Sequence, residues 1–85
     1  MSDHPTDFQG DILEAIRSSI VSKLPDAVVD VSGGGGHFQI AVVSKEFAGK
    51  GPVDAQRLVY GAITHLMKGD RAPVHAVDTL KTKVP

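Results

Sequence analysis

Four consecutive glycines, Gly33 to Gly36, constrain this chain more than any other feature. Glycine loses more backbone freedom on folding than any other residue, so such a run is a poor helix interior and marks a turn. Short runs of β-branched and apolar residues stand on both sides, Ala27 to Val31 before it and Phe38 to Val43 after it. Ala27, Val29 and Val31 share one face of the first run; Phe38, Ile40 and Val42 share one face of the second. This period-two alternation predicts two strands joined as a hairpin. Four glycines exceed what a two-residue turn needs, so the expectation is a mobile loop, with His37 where the second strand begins.

Helical spacing brackets the hairpin. Phe8, Ile12, Ile16, Ile20 and Leu24 recur every four residues, with Leu13 and Val21 beside them, and predict an amphipathic helix. Thr6 with Gln9 reads as a capping box; Asp11 with Glu14 offers a later start. Gly10 weakens the early start by about 1 kcal/mol. Lys23 suits the end of the helix dipole, and Pro25 stops the helix. Ser44 to Gly51 is a connector, with Phe47 expected in the core. Pro52 suits the first turn of a second helix, striped by Ala55, Val59, Ala62 and Leu66 and ended by Gly69. After a turn-rich link from Lys68 to Pro73, His75 leads into a third strand. In it, Val77, Thr79 and Lys81 are expected on one face and Ala76, Asp78 and Leu80 on the other. The order helix, strand, strand, helix, strand predicts an α+β fold, a three-stranded sheet with both helices packed on one face. Residues 1–5 read as a disordered tail and residues 6–85 as a single domain.

Composition narrows the function. The chain has 85 residues, which suits one domain with a small core. Nine basic and ten acidic residues leave a net charge of -1, which argues against strong nonspecific phosphate binding. There is no cysteine, so neither a disulfide nor a thiolate ligand can come from this chain. No secretory signal opens the sequence and no apolar run approaches the roughly 18–20 residues of a membrane span, so a cytoplasmic protein without membrane attachment is expected.

Each candidate chemistry has a plainer competitor. Consecutive glycines can aim amides at an anion, but a phosphate loop needs Gly-Lys-Ser/Thr entering a helix, and here the run enters a strand. Gly49-Lys50-Gly51 lacks the hydroxyl. His37 and His75 both stand at element ends, where two neutral imidazoles on separate elements can share a metal. The plainer reading has them facing solvent or a backbone carbonyl. His4 and His65 read as exposed or structural. No nucleophile context surrounds Ser32 or Ser44, and no carboxylate pair stands out, so an enzyme is not expected. Lys45, Lys50, Arg57, Lys68 and Arg71 gather around the second helix, and Lys50 and Arg57 are the candidates for a nucleic-acid contact. Asp54 and Glu46 interleave with them, as on an ordinary solvated surface.

The ordered set of short motifs resembles the BolA family. It runs Asp30-Val31-Ser32-Gly33, His37-Phe38, Val42-Val43-Ser44, Phe47-Ala48-Gly49-Lys50, Leu58-Val59-Tyr60 and Val74-His75-Ala76. Val59-Tyr60-Gly61 and Gly36-His37-Phe38-Gln39 resemble its acid-stress-responsive IbaG-like (YrbA) branch most closely. The resemblance spans Ile12 to Pro85. It implies an αββαβ fold related to class II KH domains, and a non-enzymatic, stress-linked role. It also implies partnership with a monothiol glutaredoxin. In that pairing a [2Fe-2S] cluster is held by the glutaredoxin cysteine, glutathione and two side chains of the BolA-like partner. The isolated chain, a monomer or weak homodimer, is expected to hold no cluster. One implied ligand matches His75; the other comes from the loop between the first two strands, where His37 stands in a chain without cysteine. Some members regulate transcription or bind DNA near the second helix, which makes Lys50 and Arg57 the alternative site. Two departures stand out. Many relatives carry an Arg-His pair where this chain has Ala55-Gln56, and the segment Lys68 to Pro73 is longer than usual.

Overall fold

A computed structural model describes residues 10–85. The tail at residues 1–5 and the capping box of Thr6 and Gln9 lie outside the described residues. The first helix, α1, runs Ile12–Lys23 and uses the later start: Asp11 is its N-cap, accepting the Glu14 amide at 3.2 Å. An aspartate there satisfies one of the first-turn amides that the helix itself leaves unpaired. Strands β1 (Val28–Gly34) and β2 (His37–Val43) follow. A short 3-10 turn at Lys45–Phe47 leads to helix α2 (Pro52–Ile63), and β3 (Ala76–Lys83) closes the fold. The sheet order is β1-β2-β3, with β1 antiparallel and β3 parallel to the central β2. The parallel β2–β3 pair needs a crossover connection, and α2 supplies it.

The core is the meeting of three stripes. Ile16 and Ile20 of α1, its C-cap Leu24, and Ala55, Val59, Ala62 and Ile63 of α2 close over Phe38, Ile40 and Val42 of β2. Phe47, Leu66 and Val74 fill the ends from the connectors, as the sequence suggests for Phe47. The opposite face of the sheet is mostly polar, with Val28, Ala41 and Val43 at its β1–β2 side. Asp30, Ser32, Gln39, Thr79 and Lys81 line a shallow depression there. One apolar and one polar face is the pattern of a sheet covered on one side only.

Three expectations need correction. The glycines do not form an open loop: Gly33 and Gly34 extend β1 and pair with Phe38 and His37. Only Gly35 and Gly36 turn, at φ 64° and 85°, the positive-φ pair that a two-residue hairpin favours. Next, α2 does not continue to Gly69. It ends at Ile63 and tightens into a 3-10 turn over Thr64–Leu66, where the Thr64 hydroxyl donates to the Tyr60 carbonyl at 2.7 Å. Gly69 instead supplies a left-handed residue (φ 86°) in the link to β3. Finally, β3 does not alternate with one phase. Val77 pairs with Phe38 but Thr79 pairs with Gln39, so Asp78 is an extra, bulged residue. Beyond it Leu80 and Thr82 are half-buried, while Thr79 and Lys81 face solvent. A bulge opposes two residues to one and so exchanges the faces of everything after it.

Candidate functional site

The tight hairpin turn and the start of β3 meet at one end of the sheet. Gly36 is buried there, and its carbonyl accepts both the His75 amide at 2.8 Å and the Ala76 amide at 2.9 Å. Val74, fully buried, anchors the chain one residue earlier, and its amide donates to the Leu66 carbonyl at 3.0 Å. Since His37 pairs with Ala76 across the parallel β2–β3 ladder, the backbone sets the two histidines side by side. Their ring centroids are 5.6 Å apart, with the ring planes tilted by 52°. Both residues are exposed.

Close approach of backbones builds this rim. Gly33, at φ 123°, lies so near the His37 carbonyl that a Cβ there would sit 2.3 Å from the oxygen. His37 in turn meets a carboxylate: its Nδ1 is 3.1 Å from Asp78 Oδ1, with both side chains about half exposed (52% and 47%). Asp78 is the bulged residue; the strand pattern groups it with Ala76 but carries no link to His37, 41 positions away in the chain. The available signal was the pair of polar residues between Val77 and Leu80, which breaks period two.

Two exposed imidazoles on one rim can act as metal ligands through neutral ring nitrogens. Among the described residues no group of three or more histidine or acidic side chains is placed to hold a metal ion. A metal or cluster bound here would draw its further ligands from outside this rim. The donor set fits an iron–sulfur cluster with nitrogen ligands, since two histidines replace two cysteines on one iron of Rieske-type centres.

The other candidates lie elsewhere. Lys50 precedes α2 and lines a cleft with Lys83, whereas Arg57 is on the helix surface 3.9 Å from Asp54. An acid thus stands beside Arg57, and this surface is mixed in sign. His65 is exposed and contacts the Ser19 hydroxyl at 3.3 Å, a link between α1 and the end of α2. No helix among the described residues is long and apolar enough to cross a membrane.

Comparison with known proteins agrees with this architecture. The family described as BolA-like protein matches residues 6–85. The acid stress protein IbaG of Escherichia coli strain K12 is 36% identical over 70 residues, covering 82% of this chain and 80% of that protein, and supports placement in the IbaG-like branch. Protein BOLA2 of Arabidopsis thaliana is 36% identical over 76 residues, 85% of this chain and 77% of its own length. The crystal structure of a bol-like protein from Babesia bovis superposes with a TM-score of 0.72 at 31% identity, covering 91% of each chain. With the family matched over nearly its whole length and the αββαβ order found in its structure, the chain belongs to the BolA family.

Proposed function

We propose that this chain is a non-enzymatic interaction module that docks a monothiol glutaredoxin and presents His75 and His37 to a shared [2Fe-2S] cluster. Its role is in iron–sulfur trafficking or in iron, redox or stress regulation. The observation that carries the reading is the pair of exposed imidazoles with centroids 5.6 Å apart, held by a shared backbone anchor at Gly36. When bound, such a cluster supplies one-electron chemistry or a transferable iron–sulfur unit. The chain's own part is to hold two nitrogen donors at a rigid sheet end and to leave the remaining positions to the partner and glutathione. A relative whose name is acid stress protein supports the stress-linked side of the reading.

The test is reconstitution of the chain with a monothiol glutaredoxin, glutathione, iron and sulfide, read by visible circular dichroism. The mixed complex gives a spectrum distinct from that of the glutaredoxin alone. His75→Ala abolishes the distinct spectrum, and His37→Ala weakens it or shifts its bands. A His75→Ala complex with unchanged spectrum and stability removes His75 from the ligand set. On the DNA alternative, Lys50→Ala and Arg57→Ala would abolish a salt-sensitive electrophoretic shift. The Asp54 carboxylate beside Arg57 makes that surface less suited to a polyanion than to a protein.

A further inference from the structure

We infer that Asp78 is the positioning residue for His37, holding its imidazole with the proton on Nδ1 and leaving the Nε2 lone pair as the donor to a metal. The inference rests on the reading above, in which His37 is a ligand, and adds to it a residue that makes the ligand selective in its nitrogen.

The chemistry of the pair leads to this assignment. An ionised carboxylate only accepts hydrogen bonds, so the 3.1 Å contact between Asp78 Oδ1 and His37 Nδ1 calls for a proton on Nδ1. In a neutral imidazole with Nδ1 protonated, the lone pair lies on Nε2, at the other edge of the ring. Histidines that bind metals commonly donate their second N–H to a carboxylate, which settles tautomer and ring orientation and raises donor basicity. The delivery of Asp78 is built into the backbone. It is the residue inserted between the partners of Phe38 and Gln39, and bulges re-aim side chains next to functional sites. A stability role accounts poorly for the same contact. Both side chains are about half exposed, and exposed pairs contribute little to folding. The polar face of the sheet would tolerate either side chain in water.

The experiment reads the tautomer first, without any partner. Long-range ¹⁵N–¹H spectra of the isolated chain at about pH 8.5, above the ordinary imidazole range, report which ring nitrogen carries the proton. The wild type shows His37 mainly as the Nδ1–H form. Asp78→Ala shifts it to the Nε2–H form that an unrestrained imidazole favours in water. Asp78→Asn, which keeps the bulk and can still accept through its amide oxygen, falls between. Backbone amide spectra check that β3 remains in place in each variant. The second arm uses the complex reconstituted with a monothiol glutaredoxin and glutathione. Asp78→Ala hastens cluster loss roughly 10-fold, and adds nothing further in a His37→Ala background. A tautomer ratio equal in the wild type and both variants overturns the role of Asp78, whether or not a cluster forms. A tautomer switch with unchanged cluster loss overturns its role toward the metal. A wild-type chain that forms no mixed complex overturns the underlying reading and the ligand role of Nε2 with it. In that case the tautomer spectra still decide separately whether Asp78 orients His37.

Discussion

Ser44 is fully buried, yet its hydroxyl both donates and accepts a hydrogen bond. It donates to Asp26 Oδ1 at 2.7 Å and accepts the Glu46 amide at 3.1 Å, while Asp26 Oδ2 accepts the Lys45 amide at 2.7 Å. This small network ties the chain before β1 to the end of β2. Ser44→Ala removes its centre and is expected to cost about 1–2 kcal/mol in urea unfolding. The Lys45 amide first, and the Ser44 hydroxyl second, hold the Asp26 carboxyl below the ordinary aspartate range. A group with a lowered folded value stabilises the fold above its unfolded pKa and loses that contribution as pH falls through the folded one. Wild-type stability should therefore drop below about pH 4, and Asp26→Asn, less stable at neutral pH, should show a shallower drop. Gly33 is constrained differently. A Cβ would collide with the His37 carbonyl and the φ of 123° is strained for any L side chain, so Gly33→Ala is expected to cost at least about 1–3 kcal/mol. Nothing lies within 4 Å of a Cβ at Gly35, and asparagine tolerates its φ of 64°, so Gly35→Asn should leave the unfolding midpoint nearly unchanged.

At the scale of elements, local signals served α1 well. Asp11 as cap, the stripe from Ile12 onward and Pro25 all act within a few residues, and the helix begins at the later of the two starts and ends just before Pro25. Strand β3 behaves otherwise, because its phase is a property of its pairing with β2. The bulge at Asp78 turns Leu80 toward the helices and Thr79 outward. Leu80→Ala should therefore cost about 1–2 kcal/mol, less than a fully buried leucine, and Thr79→Ala should be nearly neutral. The reverse order in chemical denaturation would restore the unbroken alternation. The bulged residue is also the acid that contacts His37.

For the whole molecule, size matters. A domain this small buries a limited apolar area, and a partner that binds only the folded state adds stability by mass action. On the proposed function, titrating a cluster-loaded monothiol glutaredoxin should raise the thermal midpoint of this chain with concentration, and His75→Ala should remove most of that rise. Calorimetry at several partner concentrations checks both. The architecture explains why the site lies at one end of the sheet. The hairpin turn, the start of β2 and the start of β3 converge there, and the parallel β2–β3 pairing aligns two strand starts rather than a start with an end.

The order of elements, the apolar faces of α1, α2, β1 and β2, the place of Phe47 and the candidacy of His37 and His75 are all written in residues near one another in the chain. Periodicity and capping are local, so they can be read without coordinates. The family resemblance drew on the same local motifs. Pairing and approach between distant segments decided the rest. Only the β1–β2 register shows that two of the four glycines belong to a strand, and only the backbone contact at Gly33 shows why one of them must be glycine. The bulge at Asp78 arises from matching β3 to β2, 41 residues separate it from His37, and no local pattern carries the distance between them.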